Sequence, residues 1–290
     1  MFNYYISRYF YFFLKGLGTY LWQNFLTDSK IRHWIADKIA VLYEQLGADC
    51  LVEIWPGKGS LTKLIKDVSQ NFVVIEKDET LREKLEEILQ GEGRIIMDDV
   101  LNVDVSLLWS YKNALVVGNL PYYITSPILR KFFVDSFTKS PSGVPRSGLP
   151  LKSPAPIGAS PFTKGGVFMV QEEVGEKIRF DAKKKSYLYW LLNYGYHVEY
   201  LKTVPVKAFN PPPKVKSCVI GLKRKDEIPA IEFERLVSFL DAFAPYSRKT
   251  LGKISKMLEK RGVSFAIPEE FQSKRLEELD WGELEEIVKK

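Results

Sequence analysis

The sequence predicts an α/β protein: an open, mostly parallel sheet covered by helices, followed by a small all-helical part. Three observations carry this expectation. Short apolar runs recur at 50–54, 72–75, 94–97 and 114–117, near-continuous rather than alternating, as strands buried on both faces require. Helix-forming segments separate the first three, and each run ends in a polar tip or a glycine-bearing turn. From Asp226 onward the apolar spacing is helical to the end.

Size and composition agree with that class. A chain of 290 residues can hold a core of about 200 residues and an appendage. We divide it into an extension at 1–20, a main α/β unit at 21–225 and a helical unit at 226–290. Hydrophobic content of 46% and charged content of 27% exclude collagen-like and wholly disordered classes. A net charge of +6 and a pI near 9.0 point to a polyanionic partner. Cys50 and Cys218 lie in apolar runs, where small buried thiols in a reducing compartment are expected. His33 and His197 are the two histidines, too few for a histidine metal site or a catalytic triad, so no metal is expected.

Taken in order, the chain begins with an aromatic and aliphatic run at 9–14 between Arg8 and Lys15. It is too short to span a bilayer and no small-residue cleavage site follows, so neither membrane insertion nor secretion is expected. Asp28 or Thr27 then caps a helix whose apolar face holds Ile31, Ile35, Ile39 and Leu42. The strand at 50–54 runs into Trp55-Pro56-Gly57-Lys58-Gly59, a turn that brings backbone amides close to a nucleotide-like ligand. The second strand ends in Glu76, where an acid can bind a ribose diol. The third ends in Asp98-Asp99, where an acid can accept from an adenine amine.

The fourth strand delivers Gly118-Asn119-Leu120-Pro121-Tyr122, and the chemistry is expected there. Ligands of open α/β sheets bind beyond the carboxyl ends of the strands. An amide beside a proline-stiffened turn and an aromatic ring suits a planar nucleobase with an exocyclic amine. The competing expectation is that Asn119 caps the helix starting near Ser126. Residues 139–166, rich in Pro, Ser and Gly, read as a flexible surface insertion, with a strand resuming at 167 and a helix after Gln171. Lys183–Lys185 precede an amphipathic helix over 187–194. Strands over 198–204 and 218–222 form an antiparallel hairpin, and Phe209 sits on the proline-stiffened loop between them, placed to clamp a base. In the helical unit, helices are expected over 233–243, 248–260 and 281–288. The second carries Arg248, Lys249, Lys253, Lys256 and Lys260, a phosphate-facing surface.

With these residues in place, the chain resembles the small-subunit ribosomal RNA adenine N6,N6-dimethyltransferases of the KsgA type. The match runs from about Gln23 to the C-terminal end. It includes Gln-Asn-Phe-Leu at 23–26, Glu-Ile-x-Pro-Gly-Lys-Gly at 53–59, Ile-Glu-Lys-Asp at 75–78 and Asp-Val-Leu at 99–101. It continues with Gly-Asn-Leu-Pro-Tyr at 118–122, Phe-Met-Val-Gln-Glu-Glu-Val at 168–174 and Phe-x-Pro-Pro-Pro-Lys-Val-x-Ser at 209–217. The resemblance implies a class I S-adenosylmethionine-dependent methyltransferase fold, Rossmann-like, with a C-terminal helical domain that helps hold rRNA. It implies S-adenosyl-L-methionine as methyl donor, bound by Asn24, Leu26, Trp55, Gly57, Glu76, Asp99 and Asn119. It also implies Asn119, Leu120, Pro121 and Tyr122 as catalytic residues, with Tyr122 and Phe209 on the target adenine. The expected partner is small-subunit rRNA in the pre-ribosomal subunit, and the expected protein is a cytoplasmic monomer with a role in ribosome biogenesis.

Three departures accompany the resemblance. The family pattern has Gly where this chain has Trp22 and Trp55, and it lacks the 139–166 insertion. Glycine at 55 permits close ligand approach and unusual backbone angles. Both replacements run from Gly to Trp, as translation of a UGA codon read as glycine in the source cell would produce. Two further readings compete: a large-subunit rRNA adenine methyltransferase sharing the same core, and a ribosome-assembly RNA-binding protein that has lost donor binding through Trp55.

Overall fold

The computed structural model describes residues 24–108, 110–135 and 163–289. The 1–20 extension, Trp22 and residues 139–162 of the expected insertion lie outside them. After β1 (Phe25–Leu26), helix α1 (Ser29–Gln45) starts where the Asp28 carboxylate accepts from the Ile31 amide at 3.0 Å. It buries Ile31, Ile35, Ala36 and Ile39 against the sheet, and Leu42 packs beside them half-buried. Alternation follows with β2 (Cys50–Ile54), α2 (Thr62–Ile65), β3 (Phe72–Glu76), α3 (Arg82–Leu89) and β4 (Arg94–Met97). Then come β5 (Ala114–Asn119), α4 (Thr125–Phe133), β6 (Thr163–Gln171), α5 (Glu172–Ile178) and α6 (Tyr187–Gly195). The α/β part closes with β7 (Tyr196–Val204), β8 (Phe209–Asn210) and β9 (Ser217–Arg224). The helical part is α7 (Phe233–Phe243), α8 (Leu251–Glu259) and α9 (Trp281–Lys289).

Seven strands form one sheet in the order β4-β3-β2-β5-β6-β9-β7, parallel from β4 to β6 and antiparallel where β9 joins β6 and β7. Every residue of β2 and β3 is buried, as expected of central strands covered on both faces. Alternate side chains serve opposite layers. Leu51, Val74, Leu115 and Val117 pack under α1, while Val52, Ile54, Ala114 and Val116 join Phe132, Phe168 and Trp190 on the other face. That second apolar cluster continues without interruption into Leu236, Phe239, Ile254 and Leu284 of the C-terminal helices. Among the described residues no helix is long and apolar enough to cross a membrane.

Three elements differ from their expectations. Strand β6 begins at Thr163, four residues inside the segment read as insertion. Gly165 and Gly166 resemble linker in sequence but pair with Leu115 and Val116 of β5. A Cβ at Gly165 would lie 2.5 Å from the Leu222 carbonyl oxygen, so glycine is the residue that lets β6 and β9 approach. Helix α6 is not amphipathic: Leu188 through Gly195 are all buried, because α6 is held between the sheet, α4 and the C-terminal helices. Helix α8 starts at Leu251 rather than 248, because Thr250 is extended at its N-cap; Arg248 and Lys249 lie in the preceding turn.

Candidate active site

Strand β2 and its neighbour β5 pair Ile54 with Gly118, so the turn after one strand and the loop after the other leave the sheet side by side. A Cβ at position 118 would stand 2.4 Å from the Ile54 carbonyl oxygen. The pairing therefore depends on glycine there. Beyond it, the Leu120 amide donates to the Met169 carbonyl at 3.0 Å. The Ile124 amide and the Thr125 hydroxyl both donate to the Pro121 carbonyl at 3.1 Å. These bonds fix the loop from two sides. The N-cap of α4 is Ile124, with no side-chain cap, so Asn119 does not cap the helix. Its Nδ2 instead donates to the Asn24 carbonyl at 3.4 Å, and its Oδ1 has no partner among the described residues.

Tyr122 is half-buried, and its hydroxyl lies 2.5 Å from the Ser217 Oγ at the buried start of β9. Burial raises its pKa above the usual phenol value, so the ring is neutral at physiological pH. Tyr123, 62% exposed, stands at the mouth. Phe209 is 4% exposed in the two-residue β8, paired with β1, rather than on an open loop. Its movement as a clamp is thereby restricted.

On the donor side, the Glu76 carboxylate is buried and accepts three backbone amides: Gly57 at 3.0 Å, Lys77 at 2.8 Å and Asp78 at 3.0 Å. It ties the tip of β3 to the turn after β2. Burial outweighs these bonds, and its pKa is raised. Asp99 accepts from the Leu101 amide at 3.0 Å and pairs with the Lys77 ammonium at 2.9 Å.

A cavity of about 430 Å³ opens between these elements, within the range of about 300–1,000 Å³ typical of small-molecule sites. Asn24, Leu26, Trp55, Gly57, the loop 119–122 and Phe209 line it. Glu76 and Asp99 are not among the lining residues.

Two contributors escaped the sequence reading. Ser217, which closes the motif at 209–217 but was given no role, anchors Tyr122 across the sheet. Glu53 lines the cavity at 2% exposure, and its Oε2 has no hydrogen-bond partner among the described residues. Desolvation pushes its pKa up to about 8, with the nearby Glu76 charge adding to the rise and the Thr62 hydroxyl opposing it. A carboxyl inside the otherwise apolar run Cys-Leu-Val-Glu-Ile was the available signal.

The cavity fits S-adenosylmethionine in size and in the polar residues of its lining, among them Asn24, Glu53, Ser60 and Asn119. Trp55 does not fit. Its backbone is left-handed at φ 60, and its indole Nε1 is buried without a partner. Among the described residues no group of three or more His, Cys, Asp or Glu could hold a metal ion.

A family model described as ribosomal RNA adenine dimethylase matches residues 18–280. The chain belongs to that family. Among curated relatives, the chain is 29% identical over 266 residues to "Ribosomal RNA small subunit methyltransferase A" of Hydrogenobaculum sp. (strain Y04AAS1), covering 91% of this chain and 89% of the relative. It is 33% identical over 258 residues to the protein of the same description from Alkaliphilus oremlandii, covering 85% and 78%. Two solved structures share its fold. One is the 23S rRNA methyltransferase ErmE, with TM-score 0.62 and 22% identity over 92% of this chain and all of that one. The other is a dimethyladenosine transferase from Plasmodium falciparum, with TM-score 0.64 and 21% identity over 89% and 94%.

Proposed function

We propose that this dimethylase transfers methyl groups from S-adenosylmethionine to N6 of adenines in small-subunit ribosomal RNA, giving N6,N6-dimethyladenosine during ribosome biogenesis. The observation that carries the reading is the single cavity in which the glycine-bearing turn and the Asn119–Tyr122 loop meet, with an amide oxygen and an anchored aromatic ring at its rim.

When bound, S-adenosylmethionine supplies an electrophilic methyl group on a sulfonium. The chain's own residues prepare the nucleophile. The adenine N6 lone pair is delocalised into the ring, so the nitrogen must become more tetrahedral as it reacts. The Asn119 Oδ1 and the Leu120 carbonyl oxygen accept the two amine hydrogens and favour that geometry. Pro121 stiffens the loop that carries both acceptors, and Tyr122 stacks on a base taken out of its helix. A monomethylated amine keeps one N–H, so the same acceptors serve a second transfer.

Asn24, Leu26 and Gly57 shape the donor side of the cavity, and Glu76 and Asp99 offer carboxylates to the donor's ribose and adenine. Phe209 closes the back wall. The exposed cations Arg248, Lys249, Lys253, Lys256 and Lys260 at the helical end, read as a unit over 226–290, supply phosphate contacts. The site is completed within one copy, so we take the working unit to be a monomer, acting without a metal in the cytoplasm, where small subunits assemble.

The test is methyl transfer to pre-ribosomal small subunits, run with the chain as written and with its Trp55→Gly variant. Nucleoside digestion should reveal N6,N6-dimethyladenosine in small-subunit rRNA. Transfer to large-subunit rRNA instead would move the protein to the other branch, and rRNA binding without transfer by either form would leave a ribosome-assembly factor.

A further inference from the structure

Three observations bear on position 55. First, its backbone is left-handed, and among the described residues Gln90 is the other non-glycine with positive φ, at 53. Gln90 ends α3, where a left-handed residue is the ordinary helix terminator. Trp55 follows a buried strand and lies in a turn whose other left-handed residues are Gly57 and Gly59, at φ 56 and 74. A bulky side chain there is a genuine outlier, whereas glycine adopts the conformation without a clash. Second, the indole is 8% exposed and, like that of the buried Trp190, its N–H finds no acceptor among the described residues.

The third observation concerns where the turn lies: the Trp55 amide donates to the Ile75 carbonyl at 3.0 Å and the Gly57 amide to the Glu76 carboxylate at 3.0 Å, so residue 55 sits against the tip of β3. The cavity reaches Trp55 but neither acid.

We propose that position 55 is glycine in the working protein, its codon being one that the source cell reads as glycine, and that the indole written there fills the channel from the cavity to Glu76 and Asp99. Trp22, the second position at which the family pattern has glycine, is then a product of the same codon. The inference rests on the donor reading above for its second half and stands independently of it for the first. It also removes the ground for the binding-only alternative, since the obstacle to the donor would not exist in the cell.

Two measurements test it. In the protein isolated from its own cells, peptide masses spanning positions 22 and 55 should report glycine at both. Tryptophan at 55 overturns the proposal outright. Separately, the full recombinant chain and its Trp55→Gly variant, both shown by circular dichroism to be folded, are titrated calorimetrically with S-adenosylmethionine and with S-adenosylhomocysteine. The variant should bind both at least 10-fold more tightly. In the Trp55→Gly background, Glu76→Gln should then weaken binding, whereas in the chain as written it should change little. Equal affinity of the two forms overturns the blocked channel. Absence of binding by both refutes the donor reading instead, and the peptide masses alone then decide the identity of residue 55.

Discussion

Asn119→Ala separates a catalytic acceptor from a structural one. In the structure Asn119 makes one hydrogen bond, from its Nδ2 to the Asn24 carbonyl at the long distance of 3.4 Å, and it caps no helix. Losing that bond should cost no more than about 1 kcal/mol, a fall of about 2–4 °C in melting temperature for a protein of this size. The catalytic loss should be far larger. An acceptor whose bond strengthens as the amine pyramidalises is comparable to one oxyanion-hole donor, whose removal costs about 2.7–4 kcal/mol, or roughly 100- to 1,000-fold in turnover. The assay is single-turnover transfer of labelled methyl groups to pre-ribosomal small subunits. It is best run in the Trp55→Gly background, with donor affinity by calorimetry and thermal melting on the same preparation. Turnover should collapse while donor affinity stays within about threefold. A rate within a few-fold of the parent, accompanied by a clear drop in melting temperature, would refute the acceptor role.

Three other outcomes follow from the same geometry. Tyr122→Ala should weaken engagement of the target base by about 1–3 kcal/mol of lost stacking. Ser217→Ala, which only frees the phenol, should raise KM about threefold to tenfold with a smaller effect on kcat; an unchanged KM in both variants would mean that the ring does not meet the base. Glu53, raised from 4.5 to about 8, keeps a proton in the folded chain that the unfolded chain has already released between those pH values. Stability should therefore fall as pH rises from about 4.5 to 8, by up to about 5 kcal/mol, less whatever the adjoining cavity relieves by hydration. Glu53→Gln should flatten that part of the curve, and a parent curve that rises with pH there would contradict the assignment. If Arg248, Lys249, Lys253, Lys256 and Lys260 each neutralise one phosphate, the logarithm of RNA affinity should fall with the logarithm of salt at a slope of about −3.5 to −4.5. A flat dependence would exclude that surface.

What was legible in the sequence was what a local pattern encodes. The apolar runs that became β2, β3, β4 and β5 needed no partner to be recognised, because full burial on both faces leaves an uninterrupted apolar string. The strand tips followed from the ends of those strings, and the Asp28 cap from its offset to Ile31. The failures were non-local. Gly165 and Gly166 have no room for a Cβ because the Leu222 carbonyl of β9 crowds the first and Phe168 and the Val116 carbonyl of β5 crowd the second, a fact of the neighbours and not of the segment. Tyr187 to Gly195 shows helical spacing, yet a third layer buries its outer face. Ser217 closes a motif, but its bond to Tyr122 is invisible because that partner stands 95 residues earlier. Glu53 was visible as a charge in an apolar run, but its exclusion from water depends on the turn folding over it.

The position of Gly118 explains why the turn after β2 and the loop after β5 lie side by side. Hydrogen-bonded parallel strands lie about 4.7–4.9 Å apart with their side chains above and below the sheet, so loops that leave paired positions start as neighbours. Here the register sets Ile54 against Gly118 with no room for a Cβ, so the turn at 55–59 and the loop at 119–122 start from backbones in contact. Asn119 thereby inherits its place from β2 as much as from β5, and its Nδ2 reaches back to Asn24 in the segment that closes the donor side. On the proposed roles, a group that accepts from the target amine and also touches the donor wall would bring an amine and a methyl group together. Position 55 belongs to the same contact. Whatever residue occupies it determines both the shape of the donor turn and how much of the cavity beyond Ile54 remains open toward Glu76 and Asp99.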